Sequence, residues 1–183
     1  MANTAIFLAD GFEEIEALTV VDLLRRAGIT ITTVSIMGRK EVTGSHNITV
    51  IADALIDEIN FDDLHMLILP GGMPGTTNLG ACKELTDKIL EFNEQGKMLC
   101  AICAAPTVFG KLGILKGIKA CCYPGCEKDL IGADVQTEQV TVDDHFITSR
   151  GMGTAIEFGL AIICHFMDGN AANNMASRIV YKC

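Results

Sequence analysis

Apolar runs and helical stripes alternate along the chain, and they predict a regular succession of strands and helices. Short apolar and β-branched runs predict strands over Thr4–Ala9, Ile29–Ile36, Met66–Leu69, Met98–Ile102 and Ile118–Tyr123. Apolar positions at helical spacing predict helices over Glu13–Ala27, Cys82–Glu94, Thr107–Leu112 and Thr154–Met167, with a short one from Ala171. Glycine-marked connections between these elements indicate a mostly parallel sheet that is covered by helices on both faces.

Three further stretches depart from this alternation. Gly38–Gly44 with Ile48–Ile51 predicts a small hairpin, and Asp53–Leu64 is polar and predicts turns or a short helix. Val135–Val142 and His145–Ser149 alternate as a second hairpin would, around a turn at Asp143–Asp144. Because the chain has no linker, repeat or low-complexity segment, we expect a single α/β domain over residues 1–183.

The run Met98–Ile102 ends at Cys103, and two alanines and Pro106 follow. Proline is tolerated in the first turn of a helix, so Cys103 is predicted to lie in a tight turn between a strand and a helix, a nucleophile elbow. The free N–H groups and the positive dipole end of a helix favour a thiolate over a thiol. The alternative is a structural core cysteine, since unpaired cysteines are among the most buried residues.

Glu16 is an acidic residue on an apolar helical stripe. It shares that stripe with Val20, Leu23 and Ala27, which predicts that its side chain points toward the sheet. Burial would raise the pKa of such a carboxyl and allow it to donate a proton or a hydrogen bond. The alternative is a solvated acid in the first helical turn, where acids complement the helix dipole.

Three small-residue turns follow predicted strands: Ala9-Asp10-Gly11, Pro70-Gly71-Gly72 and the turn at Cys103. Ligands bind at the carboxyl ends of parallel strands, so these turns should converge on one site. Gly71 and Gly72 would let backbone N–H groups approach an oxyanion, or they form an ordinary turn. Thr148–Thr154 would bring Arg150 or its own N–H groups to an anion, or it caps the helix that follows.

Composition narrows the classes of function. The 183 residues carry a net charge of −9 without a basic cluster, which argues against a nucleic-acid or anionic-membrane surface. No apolar run is long enough to span a membrane, and the acidic start is unlike a secretory signal. Eight cysteines lie in apolar stretches rather than in a disulfide framework, which favours a reducing, cytoplasmic location.

Metal chemistry has little support in the sequence. Cys121, Cys122 and Cys126 lack a second matched pair of cysteines and a nearby histidine, so we predict no metal site there. The four histidines are scattered, and none has a spacing that marks a dyad with Cys103. They are interpreted as structural or surface residues.

Five motifs occur in order: ADGFEEIEAL, RRAGI, LPGG, AICAAPT and TSRGMGTAIEFGLAI. Together they resemble the ThiJ/PfpI family, in the branch of the parkinsonism-associated deglycase, from about Thr4 to Met167. The resemblance implies a flavodoxin-like homodimer that needs no cofactor. It also implies that Cys103 is a nucleophilic, peroxide-sensitive cysteine and that Glu16 is the protonated acid beside it. Gly72 and Ala104 would supply N–H groups to an oxyanion.

Departures from the family pattern bear on mechanism. The proteases of the family have a histidine directly after the nucleophile, where this chain has Ala104, so a protease is not expected. Tyr123 stands where the deglycase branch often has a histidine, and tyrosine carries protons poorly near neutral pH. Met152 replaces a proline in the pocket loop. Glu16 is therefore predicted to be the sole side-chain acid or base.

Two functions follow from the resemblance. The first is a glyoxalase or deglycase acting on methylglyoxal-type α-oxoaldehydes or their glycated adducts, through attack by Cys103 and proton transfer by Glu16. The alternative is an oxidative-stress sensor or chaperone, in which Cys103 is oxidised to a sulfenic or sulfinic acid. A member that keeps the fold without turnover is a third possibility.

Overall fold

The central element of the protein is a mixed sheet, seen in a computed structural model that describes residues 3–181. The strands within these residues are β1 (Asn3–Leu8), β2 (Thr30–Ser35), β3 (Glu41–Thr43), β4 (Thr49–Ile51), β5 (Ala54–Leu55), β6 (Met66–Leu69), β7 (Met98–Ile102), β8 (Lys119–Ala120), β9 (Asp134–Val135), β10 (Val140–Asp143) and β11 (Phe146–Ser149). The α-helices of the same residues are α1 (Glu14–Arg26), α2 (Gly75–Ala81), α3 (Lys83–Glu94), α4 (Pro106–Lys111), α5 (Ala155–Phe166) and α6 (Gly169–Arg178). Single 3-10 turns cover Ile56–Glu58, Phe61–Asp63, Glu127–Asp129 and Met152–Thr154.

Seven of the described strands form the main sheet, in the order β10-β11-β7-β6-β1-β2-β5. All neighbouring pairs are parallel except β10 and β11, which form an antiparallel hairpin at one edge. The register is regular at the centre, where Ile68 of β6 lies between Ile6 of β1 and Cys100 of β7. This arrangement confirms the predicted mostly parallel α/β fold.

Each face of the sheet has its own apolar core. Side chains alternate along β1, so that Phe7 belongs to one core and Ile6 to the other. Helices α2, α3 and α4 cover the first face, and helices α1, α5 and α6 cover the second. Helices on both faces of a largely parallel sheet define a flavodoxin-like α/β fold. No helix among the described residues has the length and apolarity needed to cross a membrane.

The structure corrects two of the predicted strands and adds a helix. Only Lys119–Ala120 of the predicted strand Ile118–Tyr123 is extended, and it pairs with β9 in a separate two-stranded sheet. The predicted arm Val135–Val142 is interrupted, and the hairpin proper begins at Val140. Helix α2 was missed because its sequence, GTTNLGA, contains two glycines and reads as part of the turn after LPGG.

Candidate functional site

The turns after β1, β6 and β7 meet at one end of the sheet, as their positions after neighbouring strands predict. The N–H of Glu13 donates to the carbonyl oxygen of Gly71 at 2.9 Å, and the N–H of Gly75 donates to that of Gly11 at 3.2 Å. A Cβ at Gly11 would lie 2.4 Å from the Pro74 ring, so the two loops pack too closely for any side chain at this position. The close packing of these loops builds the floor of the site.

Cys103 lies in a sharp elbow between β7 and α4. Its φ is +66°, a left-handed backbone conformation that non-glycine residues adopt only when the surrounding structure holds them there. Two backbone hydrogen bonds hold it: its N–H donates to Ser149 at 2.9 Å, and its carbonyl accepts from Tyr123 at 2.7 Å. Pro106 is the first residue of α4, as predicted. The backbone thus fixes where the sulfur points.

Glu16 is buried beside this sulfur, on the inward face of α1. The residue is 1% exposed, so its carboxyl is not in solvent. Its Oε2 accepts the N–H of Gly71 at 2.9 Å, and the carboxyl also hydrogen-bonds to Cys103. The apolar stripe of α1 thus places an acid within hydrogen-bond reach of the nucleophile predicted from the elbow.

Backbone N–H groups complete the surroundings of the sulfur. Those of Gly72 and Ala104 lie close enough to the Cys103 sulfur to lower the pKa of its thiol in part. Gly71 directs its own N–H to Glu16 instead, so it orients the acid while its neighbour Gly72 faces the Cys103 sulfur. Gly72 has φ of +90°, and a Cβ there would lie 2.3 Å from the backbone nitrogen of Glu13. Two N–H donors on one sulfur are the arrangement that an oxyanion or a thiolate requires.

The ionisation of Cys103 differs from the sequence expectation of an acidic thiol. Burial and the neighbouring charge of Glu16 raise the pKa of Cys103 to about 12, although the N–H groups of Gly72 and Ala104 lower it in part. Burial also raises the pKa of Glu16 to about 7. The start of α4 lowers the pKa of the Cys103 thiol by less than burial and the adjacent Glu16 carboxylate raise it. The sulfur therefore becomes an anion at neutral pH only when Glu16 carries the proton.

A cleft of about 720 Å³ opens above Cys103 and Glu16. Tyr123 and Arg150 both line it, as does Met152. The Tyr123 side chain is half exposed, and the Arg150 guanidinium donates to the carbonyl of Thr137 at 3.3 Å. The structure thus brings Gly71, Gly72, Ala104, Tyr123 and Arg150 to the walls or floor around one sulfur.

The sequence interpretation missed two ionisable residues of this cleft. His46 and Glu13 line it together with Cys103. His46 lies in the turn between β3 and β4, and that hairpin folds over the start of α1 through the hydrogen bond from Ser45 N–H to the carbonyl of Phe12 at 2.8 Å. This contact spans some thirty residues and leaves no local signal, so the histidine appeared isolated. Glu16 is therefore not the sole ionisable acid or base at the cleft.

The other cysteines within the described residues are unpaired, and they lie apart from a recognisable metal-binding arrangement. Cys100 and Cys121 are fully buried, and Cys100 belongs to the core that α1, α5 and α6 cover. The backbone N–H of Cys121 donates to the hydroxyl oxygen of Thr148 at 3.0 Å. Burial raises the pKa of Cys100 and of Cys122, which keeps both sulfurs protonated. Cys183 lies outside the described residues.

A cysteine on a strand-to-helix elbow, beside a buried acid, defines an α/β protein with a candidate site around one sulfur. The chain belongs to the DJ-1/PfpI family, whose model matches residues 2–165. Protein DJ-1 homolog B of Arabidopsis thaliana is 33% identical over 177 residues, which are 96% of this chain and 40% of that protein. The chain thus spans about two fifths of the length of that plant relative.

Two further relatives match the chain over most of both lengths. A deglycase of Pyrococcus abyssi is 32% identical over 152 residues, which are 81% of this chain and 89% of that protein. The structure of oxidized DJ-1 from Toxoplasma gondii superposes with a TM-score of 0.96 at 32% identity, covering 100% of both chains. These similarities support the DJ-1 branch of the family.

Proposed function

We propose that this protein is a cofactor-independent glyoxalase or deglycase, acting on methylglyoxal-type α-oxoaldehydes or their glycated adducts. The observation that carries the proposal is the contact between the Cys103 sulfur and the buried Glu16 carboxyl, with the N–H groups of Gly72 and Ala104 on the same sulfur. The Cys103 sulfur attacks a carbonyl carbon, the Glu16 carboxyl moves protons, and the N–H donors stabilise the developing negative charge. The deglycase from Pyrococcus abyssi adds support by similarity.

The reaction begins with proton transfer from the Cys103 thiol to the Glu16 carboxylate. The thiolate attacks the aldehyde carbon of methylglyoxal, and the aldehyde oxygen takes the proton back from Glu16 to give a hemithioacetal, which leaves Glu16 as a carboxylate. The N–H groups of Gly72 and Ala104 lie beside the sulfur, where the developing oxyanion forms. Arg150 and Tyr123 line the cleft wall and limit the space available to the ketone end of the substrate.

Glu16 then moves a proton between adjacent carbons. Its carboxylate removes the hydrogen of the former aldehyde carbon to give an enediolate, and it returns that proton to the former ketone carbon, while the hydroxyl proton of the hemithioacetal moves to the former ketone oxygen. The product is a lactoyl thioester on Cys103. Water hydrolyses this thioester to lactate and the free thiol, so the sum is methylglyoxal plus water giving lactate. On a glycated adduct, the Cys103 thiolate displaces the amine or thiol from the former aldehyde carbon, the leaving group takes the proton from Glu16, and the later steps are the same.

The experiment is lactate formation from methylglyoxal by the wild type, Cys103→Ser and Glu16→Gln. We expect turnover by the wild type, loss of turnover in Cys103→Ser and a fall of at least about 100-fold in Glu16→Gln, the usual contribution of a general acid or base. Cys164→Ser is the matched control, since Cys164 is exposed on α5, away from the cleft. Absence of lactate with wild-type protein would exclude the glyoxalase function.

The second candidate is an oxidative-stress sensor or chaperone. Cys103 is partly exposed within the cleft, and the donors that would hold an oxyanion would also hold a sulfinate. In the first step, hydrogen peroxide transfers one oxygen to the thiolate, giving a sulfenic acid and hydroxide. The experiment is peptide mass mapping after mild peroxide: oxygen added first at Cys103 supports the sensor, and equal oxidation of all cysteines counts against it.

We also propose a homodimer, located in the cytoplasm. Apolar side chains are exposed around the start of α1: Ile15 is 50% exposed, Leu18 is 38% exposed and Ile48 of the adjoining hairpin is 53% exposed. A second copy of the chain would remove this surface from water. Light scattering of the wild type should give twice the mass of one chain, and Leu18→Glu should give the mass of one. The unpaired cysteines agree with a reducing compartment.

A further inference from the structure

A second cluster of chemically active side chains lies at the mouth of the cleft, formed by Glu13, Glu14 and His46. One ligand atom from each of the three lies within 4.8 Å of the other two. The His46 Nδ1 is 3.0 Å from an oxygen of Glu14 and 3.5 Å from an oxygen of Glu13. From these distances we propose that the cluster is a binding site for a divalent transition-metal ion, best suited to Zn²⁺.

The spacing of the atoms fits a tetrahedral ion. The hydroxyl of Ser45 lies 3.0 Å from His46 Nδ1, 3.1 Å from the Glu13 oxygen and 3.3 Å from the Glu14 oxygen. Zinc bonds to nitrogen and oxygen of about 2.0–2.1 Å place neighbouring ligand atoms of a tetrahedron about 3.3 Å apart. The hydroxyl of Ser45 stands where the fourth ligand of such an ion would be, and water can replace it there.

The charge of the cluster also favours a cation. Glu14 is a carboxylate whose side chain is only 3% exposed. Among residues 3–181, the sole basic side chain within 4.0 Å of Glu13 or Glu14 is His46, which cannot balance two negative charges. Hydrogen bonds from the N–H groups of His46 and Ile48 stabilise the Glu14 carboxylate, and a dication would neutralise the negative charge that remains on the cluster. The imidazole nitrogen favours zinc over calcium or magnesium, which prefer oxygen ligands alone.

The surrounding backbone orients the ligands. The other oxygen of Glu14 accepts the N–H groups of His46 at 2.8 Å and Ile48 at 3.4 Å, which turns the remaining oxygen toward the cluster. Gly44 makes room for this carboxylate, because a Cβ there would lie 2.2 Å from the same Glu14 oxygen. The hairpin turn is therefore shaped around the acid. This site is separate from Cys121, Cys122 and Cys126, where we predicted no metal site.

The test is titration of the chelator-treated full chain with Co²⁺, a spectroscopic substitute for Zn²⁺. Tetrahedral Co²⁺ with nitrogen and oxygen ligands absorbs in the visible region, whereas thiolate ligands add a strong charge-transfer band in the near ultraviolet. We expect saturation at one equivalent per chain without the thiolate band, and release of Co²⁺ by Zn²⁺. Lack of saturation, or a thiolate band alone, would overturn the proposal.

Variants assign the ligands. His46→Ala should weaken Co²⁺ binding at least tenfold, and because His46 is largely exposed the variant should fold. His65→Ala is the matched control, since His65 is an exposed histidine elsewhere and its loss should leave binding unchanged. Glu14→Gln should also lose binding, with circular dichroism reporting whether it folds. Wild-type affinity in His46→Ala would overturn the proposal, whatever the behaviour of the Glu14 variant.

Discussion

Gly71 and Glu16 are matched to each other: the glycine N–H donates to the carboxylate at 2.9 Å, and the carboxylate lies where a side chain of residue 71 would be. A Cβ at this position would lie 2.6 Å from Glu16 Oε2 and 2.6 Å from the Cβ of Cys103. The residue thus orients the acid and leaves the space in which the acid meets the sulfur.

We therefore predict that Gly71→Ala displaces Glu16 from Cys103. Overpacking at a buried site should lower the free energy of unfolding by about 1–3 kcal/mol, and lactate formation should fall at least about tenfold. Urea denaturation and steady-state kinetics measure the two effects. Gly80→Ala is the control: its Cβ would meet only Val108 at 3.6 Å, and alanine should stabilise α2 by about 0.5–1 kcal/mol. Full activity in Gly71→Ala would contradict the proposed role.

Substitution of Tyr123 tests whether the histidine that the deglycase branch often has at this position contributes to proton transfer. The side chain lines the cleft and is 52% exposed, so substitutions there should not disturb the fold. Tyr123→His places a group with an ordinary pKa of about 6.5 beside the substrate, and we expect kcat to rise several-fold with a new pH dependence near that value. Tyr123→Phe should behave as the wild type. A histidine variant whose pH profile is unchanged would show that this position takes no part in proton transfer.

Asp53 gives a pH dependence of stability. Its carboxylate accepts the N–H and hydroxyl of Thr33 at 2.9 and 2.8 Å, and it pairs with Arg25 at 2.6 Å. These bonds lower its pKa in the folded state. The stabilisation is therefore present above the unfolded-state pKa of about 3.9 and is lost as the pH falls through the lower, folded-state value.

Asp53→Asn should accordingly cost stability at pH 7 and cost less at pH 2. Because the Asp53 side chain is 45% exposed, solvent screening limits the difference to about 1 kcal/mol or less. Urea denaturation of both proteins at the two pH values measures it. An equal deficit at pH 2 and pH 7 would show that the effect comes from packing rather than from charge.

The last described helix depends on a side-chain cap. Asp168 accepts the N–H of Ala171 at 2.8 Å at the start of α6. Asp168→Ala should lower the free energy of unfolding by about 1 kcal/mol, because that N–H loses its partner. Asp168→Asn keeps an oxygen in the same place and should retain most of the stability. Thermal unfolding of the three proteins distinguishes these outcomes.

Sequence patterns gave the local parts of the site correctly. Five apolar residues before Cys103 and a proline three residues after it predict the elbow, and the stripe of α1 predicts an inward Glu16. Both inferences depend only on periodicity and on the backbone limits of one residue. The same is true of the alternating strands and helices, because their apolar faces must be buried against one another.

What the sequence could not supply depends on long-range packing. His46 reaches the cleft through a hairpin that folds over α1, and no local pattern records that contact. The prediction of an acidic thiol at Cys103 was wrong for a related reason. The helix end is visible in the sequence, whereas the depth of burial and the direct contact with Glu16 are visible only once the elements are packed.

The strand order has a consequence for the timing of motion in this protein. Cys103 follows β7, which has β6 on one side and β11 on the other, while β10 and β5 are the outer strands of the sheet. Outer strands open first in thermal fluctuations, and inner strands open only with global unfolding. Amide hydrogens of β7 should therefore exchange among the slowest in the chain, and the reactive centre should keep its shape through every lesser opening of the sheet.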